Sequence, residues 1–323
     1  MRVLALTIGA PIAGSTRFRI VQYATTFAEN GIELETIEAS DLNDSVLEKI
    51  ASVDLVINQK CVLNSSWAKR IRQAARRLVF DFDDAIYTRP GKPYSFFTRW
   101  RVNHRLKKWL GSADLVITAN EFLKNYAQPK AKHIEVIPMA IDLAFFSPGS
   151  RPKSKTVTIG WAGAPNNLHH IERLDGILQG VISKFPQVKL AIFSGAKPRL
   201  KCPHTYVNFT PDGEAHFIQQ LDIGLLPLAD EEYSRGKSPI KALQYLGCGV
   251  PVVGNVYGAT SEILTPLNSI AVHEDEEWEE ALAELITNRP RCSLLGQAGR
   301  EFVSSHHSKE KVGAQLCEAL LAL

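Results

Sequence analysis

The sequence predicts an α/β protein made of two doubly wound, parallel-sheet domains, and three observations carry that prediction. Short apolar runs alternate with helical stretches along the whole chain, a polar Pro/Gly/Ser-rich segment interrupts the alternation near the middle, and the pattern restarts after it. The chain has 323 residues, enough for two domains at roughly 100–200 residues each. Hydrophobic residues make up 45% and charged residues 22%, an ordinary balance for a chain with a large core.

Taken in order, Val3–Ile8 reads as a buried strand, closed by Gly9 and Pro11, and better explained so than as a signal peptide. Thr16–Glu29 reads as a helix stopped by Asn30-Gly31. Val53–Asn58, Leu78–Phe82 and Leu115–Thr118 repeat the strand pattern, Ser66–Arg76 is a basic helical stretch, and Glu135–Pro138 is a short strand. Residues 148–155 form the linker, separating an N-terminal domain over 1–147 from a C-terminal domain over 156–308. In the latter, Val157–Trp161, Val188–Phe193, Ile223–Pro227 and Val250–Val253 are strands. Residues 309–323 form an amphipathic helix with Val312, Leu316, Leu320 and Leu323 on one stripe; it either packs back on the first domain or caps the second. In folds of this class, ligands sit beyond the carboxyl ends of the strands, in the cleft that the two domains are expected to face.

Several function classes are disfavoured at once. A net charge of +3 is too slight to argue for nucleic acid. Five scattered cysteines with no C-x-x-C pair or Cys/His spacing argue against a disulfide framework and a structural zinc, and fit a cytoplasmic protein. No apolar stretch approaches the ~18 residues of a membrane span. Gly9–Ser15 has P-loop-like glycine spacing, but Ser15 stands where the lysine belongs, which rejects an NTPase.

The informative segment is Asp222–Leu228 followed by Arg235–Gly254. It reads as a strand, a basic loop, a helix from about Pro239 to Leu246, a Gly-Cys-Gly stop and another strand. Arg235 and Lys237 would stand at a helix N-terminus, where free N–H groups and the macrodipole already favour a diphosphate. Gln244, about one and a half turns further in, has an amide that can bridge ribose hydroxyls.

This segment resembles the donor-site signature of retaining glycosyltransferases of the GT-B fold, above all the GT4 family (glycosyl transferases group 1), and the spacing fits without gaps from Gly236 to Val253. The resemblance extends to Gly9–Gly14, to Ser15-Thr16-Arg17-Phe18-Arg19, typical of a bacterial branch, and to Gly160–Asn167. It implies a GT-B protein that moves a sugar from a nucleotide-diphosphate donor, UDP or GDP, to a glycan or lipid-linked acceptor with retention, in bacterial polysaccharide or cell-surface glycan synthesis. It implies no cofactor and no metal. The donor would be held by Arg235, Gly236, Lys237, Ser238, Lys241, Gln244, Gly163 and Asn166, and the acceptor or its phosphate by Gly14, Ser15, Arg17 and Arg19. The family's two glutamates fall on Gly236 and Gln244, so both are absent. Its phosphate-binding arginine and lysine fall on Ala164 and His169, which leaves Arg235, Lys237 and Lys241 to carry that charge.

Leu78–Phe82 ends in Asp81, Asp83 and Asp84, and so many carboxylates at one strand end call for cations, hydrogen bonds or raised pKa values. The resemblance aligns Asp83 and Asp84 with a His-Asp pair and makes them, with Lys237, the catalytic candidates. A phosphatase using Asp81 and Asp83, a metal-binding Asp-x-Asp and a structural role stay open, as does a non-catalytic nucleotide-sugar or glycan-binding relative. Stretch 94–109 places Phe96, Trp100 and Leu106 near one face among cations. It suits either an amphipathic helix with that stripe in the core or peripheral contact with an anionic inner membrane face.

Overall fold

The computed structural model describes residues 1–150 and 154–323; residues 151–153 of the expected linker lie outside the described residues. Two units emerge. The first comprises Met1–Ala140, Glu231–Ser238 and Lys309–Leu323, and the second Ile141–Asp230 and Pro239–Ser308.

The first unit holds a wholly parallel sheet of β1 (Arg2–Thr7), β2 (Glu33–Glu38), β3 (Leu55–Gln59), β4 (Leu78–Phe82), β5 (Leu115–Thr118) and β6 (Ile134–Val136), in the order β2-β1-β3-β4-β5-β6. The central strands are buried along their full length, as expected of a sheet covered on both faces. One face packs Phe80, Phe82, Leu106 and Trp109, and the other Tyr23, Phe27, Ile137 and Leu316. Helix Lys309–Leu321 belongs to this second face through Val312, Leu316, Cys317 and Leu320. The helix expected over 16–29 is broken into Gly14–Arg19, a 3-10 turn at Val21–Tyr23 and Ala24–Glu29. Its end is as expected, with Gly31 at φ 70°. Strand β2 lacks the apolar run that marks the others, because it is a half-exposed edge.

The second unit holds β7 (Val157–Ala162), β8 (Val188–Ser194), β9 (Thr205–Asn208), β10 (Ile223–Leu226), β11 (Val252–Asn255) and β12 (Ser269–Val272), again all parallel, in the order β12-β11-β10-β7-β8-β9. Strand order reverses beside β1 in the first sheet, between β1 and β3, and beside β7 in the second, between β7 and β10. These are the points where doubly wound sheets bind ligands.

The units do not follow the contiguous division that the sequence suggests. Ile141–Ser147 groups with the second unit, where Ile141 N donates to His307 O (3.0 Å) and Arg300 donates to Leu143 O and Phe146 O (3.2 and 2.7 Å). Glu231–Ser238 groups with the first, for reasons that lie in the site.

Candidate functional site

At the carboxyl end of the first sheet Asp81 of β4, and Asp83 and Asp84 just past it, are paired with two cations from elsewhere in the chain. Arg19, expected to hold the acceptor or its phosphate, is committed elsewhere. It is 3% exposed, its Nε and Nη2 donate to Asp81 (2.6–2.9 Å), and its Nη1 donates to Ile137 O (2.6 Å) and Pro138 O (3.3 Å). With every donor group engaged and Asp81 buried at 3%, neither residue is available as an anion grip or a nucleophile. The phosphatase reading, which needs Asp81 free to attack, has no support in this geometry.

Asp83 and Asp84 share one cation, Lys60, which sequence reasoning missed. Its Nζ lies 2.7 Å from Asp83 Oδ1 and 2.6 Å from Asp84 Oδ2, and donates to Ser15 Oγ at 2.7 Å. Desolvation holds Asp83 above the ordinary carboxylate value in spite of Lys60. Against desolvation, the Lys60 ammonium, helped by Lys237, holds Asp84 below it. Two adjacent carboxylates just past β4 thus differ in proton affinity. The only hint in the sequence was the excess of negative charge itself. Of the other residues expected here, Ser15 joins this cluster, Gly14 opens helix Gly14–Arg19 with open space about its Cα, and Arg17 is half-buried with its guanidinium over the Phe18 ring (4.3 Å). Among the described residues, no group of three His, Cys, Asp or Glu side chains is arranged to hold a metal ion.

The segment Glu231–Ser238 is tied to the same sheet end. The basic loop expected there is partly a short helix, Glu232–Gly236. Asn120 Nδ2 donates to Gly236 O (3.3 Å) and Ser238 Oγ (3.2 Å), while its Oδ1 caps helix Glu121–Ala127 by accepting from Leu123 N (2.9 Å). Ser238 N donates to Asp83 O at 3.4 Å. Gly236 is buried so closely that an added Cβ would stand 2.9 Å from Ala85 Cβ and 3.1 Å from Leu123 Cδ2. A glutamate has no room here, which accounts physically for its absence. Arg235 is exposed, and Lys237, half-buried, faces Asp84.

In the second unit, helix Ile240–Gly247 starts one residue later than expected, with Pro239 as its N-cap. It packs hard on β10: a Cβ on Gly224 would meet the Tyr245 ring at 2.6 Å, and Tyr245 Oη accepts from Ala162 N at 2.8 Å. Gln244 is fully buried, and neither its Oε1 nor its Nε2 has a hydrogen-bond partner. Lys241, expected to carry phosphate charge, instead ion-pairs with the buried Glu214. Gly163 lies against the Trp161 ring, its N–H donating to Phe193 O (3.0 Å), and Trp161 itself is a core residue. Asn166 is exposed in the 3-10 turn Pro165–Asn167, where its carbonyl meets His169 Nδ1 at 3.0 Å.

The helix Phe96–Ser112 divides the stripe that the sequence placed on one face. Leu106, Trp109 and Leu110 are buried, whereas Phe96, Phe97 and Trp100 are 78%, 80% and 64% exposed. A core role for Phe96 and Trp100 is thereby overturned. No helix among the described residues is long and apolar enough to cross a membrane.

Comparison with known proteins gives this geometry a context. Residues 182–318 match the model of a family described as glycosyl transferase-like. Over 80 residues the chain is 32% identical to a GDP-mannose-dependent monoacylated alpha-(1-6)-phosphatidylinositol monomannoside mannosyltransferase of Corynebacterium glutamicum, covering 24% of this chain and 21% of the relative. Over 92 residues it is 29% identical to the putative teichuronic acid biosynthesis glycosyltransferase TuaH of Bacillus subtilis, covering 28% and 21%. The matched stretches thus span about a fifth of each curated relative. Solved structures match throughout. Sucrose-phosphate synthase of Thermosynechococcus elongatus superimposes with a TM-score of 0.75 at 15% identity, covering 99% of this chain and 98% of that one. Anabaena HepE, solved in complex with UDP and glucose, gives 0.74 at 16%, covering 100% and 99%. The chain therefore has the GT-B fold of the glycosyltransferases, and residues 182–318 carry the match to the glycosyl transferase-like family.

Proposed function

We propose that this chain is a retaining, GT4-like glycosyltransferase that uses a nucleoside-diphosphate sugar. The observation that carries the reading is Gln244: a fully buried amide with neither atom paired, on the helix that follows the basic segment, inside the stretch matching the glycosyl transferase-like family. A buried polar group without a partner is costly, and such groups in folded proteins commonly await a ligand or water. Ribose hydroxyls supply the donor and acceptor that the amide lacks. Arg235 and Lys237 contribute positive charge to the leaving diphosphate, Ser238 a hydroxyl donor, and Gly163 and Asn166 line the loop after β7. Stabilising charge as it develops on the leaving group needs no protein-bound metal. Lys241 contributes less than the sequence suggested, because Glu214 already takes its charge.

UDP and GDP are the preferred nucleotides, given HepE in complex with UDP and a relative named as GDP-mannose-dependent. The acceptor is a glycan or lipid-linked glycan in bacterial cell-surface synthesis, in line with the names of both curated relatives. The exposed Phe96, Phe97 and Trp100 favour an acceptor met at a membrane face, since residues 85–113 hold seven Lys and Arg and no acidic residue.

The test is a thermal-shift panel of UDP, GDP, ADP, TDP and CMP, with and without EDTA, on wild type and Lys237→Ala. Ligands that bind only the folded state raise the melting temperature. The reading expects one diphosphate to stabilise wild type in EDTA and to lose that effect in Lys237→Ala. It fails if no diphosphate stabilises the protein, or if stabilisation requires magnesium.

A further inference from the structure

Lys60 occupies a backbone position that a lysine enters at a cost. It follows β3 at φ 46°, the single non-glycine residue with positive φ among the described residues. Glycine would be least strained there, so the side chain must earn its place. The turn is held from outside: Lys60 N donates to Asp81 O (2.7 Å), while Asn58 and Cys61 exchange hydrogen bonds (3.0 and 3.1 Å). That backbone turns the Lys60 side chain into the carboxyl end of the sheet, at the point where strand order reverses.

There its ammonium donates to Ser15 Oγ and Asp84 Oδ2 and stands 2.7 Å from Asp83 Oδ1, so one cation is shared by two carboxylates. The cluster is not uniformly closed. Side chains of Lys60 and Asp83 are 7% exposed, but that of Asp84 is 19% exposed. A cation needed only to neutralise Asp83 would have no reason to engage a second carboxylate at the surface. The Arg19–Asp81 pair in the same sheet shows what a purely internal pair looks like, with both side chains sealed.

We propose that Lys60 is a positioning residue of the acceptor site, fixing Asp84 so that its solvent-reaching carboxylate accepts a hydrogen bond from the acceptor hydroxyl. The inference rests on the proposed transfer reaction, and it extends it to a residue that no motif marked. Lys60 does not touch the acceptor; it acts through Asp84, and Ser15 holds its ammonium from the other side. The charged and titratable groups facing the two aspartates are Lys60 around both, Lys237 around Asp84, Arg19 around Asp83, and the phenol of Tyr233 beside both.

Two measurements on the full chain test this. Carboxyl-13C aspartate labelling, with Asp84→Asn to assign the resonance, follows Asp84 through a pH titration in wild type, Lys60→Arg and Lys60→Met. Asp84 should titrate below the ordinary aspartate range in wild type and Lys60→Arg, and about one pH unit or more higher in Lys60→Met. An unmoved Asp84 overturns the proposal. Because Lys60→Met leaves two carboxylates uncompensated, Lys60→Met/Asp83→Asn, compared with Asp83→Asn alone, provides a background with less buried charge.

The second measurement is nucleoside-diphosphate release from UDP-glucose and from GDP-mannose, with octyl β-D-glucoside as the acceptor probe. Displacing Asp84 should lower kcat/KM for the glucoside roughly 10- to 100-fold while donor KM stays within about twofold, and Lys60→Arg should recover part of the loss. A loss confined to donor KM overturns the assignment to the acceptor. If wild type turns over neither donor, the transfer reading is what has failed, and the Asp84 titration still decides the position of Lys60.

Discussion

The two units differ in the kind of buried polarity they hold, ionic in the first and neutral in the second. In the first, Arg19 pairs with Asp81 of β4, and Lys60 is shared by Asp83 and Asp84 just past that strand. In the second unit, Gln244 on helix Ile240–Gly247 sits fully buried with both amide atoms unpaired, and Ser194 at the end of β8 likewise has a buried hydroxyl without a partner. The difference follows from desolvation. An ion left alone in a low-dielectric interior costs so much that its counter-ion must be part of the fold, whereas a neutral amide costs a few kcal/mol at most and can be left open for a ligand. At the end of the first sheet the buried ions have counter-ions within the fold, although Gln59 Nε2 and Asp83 Oδ1 there lack hydrogen-bond partners; the unpaired groups named in the second unit are neutral.

The sharpest way to break this contrast is to remove a cation from the first unit. Arg19→Met strands Asp81 at 3% exposure and removes the donors to Ile137 O and Pro138 O. We expect a loss of about 3–5 kcal/mol in urea unfolding, and Arg19→Met/Asp81→Leu should recover most of it. A loss below about 1 kcal/mol would mean that the pair is not the closed device described above. Gly236 comes next. Gly236→Ala places a methyl 2.9 Å from Ala85 Cβ, against packed residues rather than a flexible chain end, and should cost about 1–3 kcal/mol. Gly236→Glu should be worse, and restoring the family's glutamate should bring no gain in turnover.

The unpaired amide of Gln244 predicts an effect of opposite sign. Gln244→Met keeps the volume and removes two unpaired polar atoms, so the ligand-free protein should gain about 1 kcal/mol. The same change should abolish the thermal shift produced by the preferred diphosphate. A destabilised variant that still responds to the nucleotide would move Gln244 out of the site and into the ordinary core.

A smaller effect, with its direction fixed by titration, comes from Asp114. Against desolvation, hydrogen bonds from Leu78 N (2.8 Å) and Arg72 (2.7 Å) hold its carboxyl below the ordinary 3.8. A carboxyl whose folded value is depressed adds stability above its unfolded value and loses it as pH falls through the folded one. Asp114→Asn should therefore lower stability at pH 7 and flatten its decline below about pH 4, read by urea midpoints across pH. The carboxylate is one-third exposed, so solvent screening keeps the effect modest.

How much of this was legible in the sequence depended on the range of the interaction. Buried central strands are apolar along their length, so β4 and β5 stand in the sequence with their observed limits. The half-exposed β2 and β9 lack that composition and escaped notice. The cluster Asp81-Asp83-Asp84 announced a need for cations, but their identity was a matter of long-range topology: Arg19 lies 62 residues from Asp81, and Lys60 lies 24 from Asp84. The motif at 235–253 located the basic segment and helix, yet it could not reveal that Asn120, just past β5, anchors Gly236 and Ser238, or that Glu214 captures Lys241.

The aromatics of helix Phe96–Ser112 give the smallest effect on stability and extend the comparison to the surface. Helical spacing placed Phe96, Trp100 and Leu106 together, but the helix buries only its C-terminal part through Leu106, Trp109 and Leu110. Trp100 stacks on His104 (5.6 Å), so its contacts lie along its own helix, and Arg101, Lys107 and Lys108 are exposed on that helix. Removing side chains that pack against no core should change stability by no more than about 0.5 kcal/mol. Partition into an anionic interface, in contrast, depends on them, because apolar area and basic charge act together there. The double variant Phe97→Ser/Trp100→Ser should unfold at the wild-type urea midpoint and lose binding to phosphatidylglycerol vesicles in a sedimentation assay, with wild type showing little affinity for phosphatidylcholine. Equal sedimentation of the variant and wild type would remove the membrane face from the proposed acceptor. A marked fall in the urea midpoint would show instead that these rings cover part of the fold.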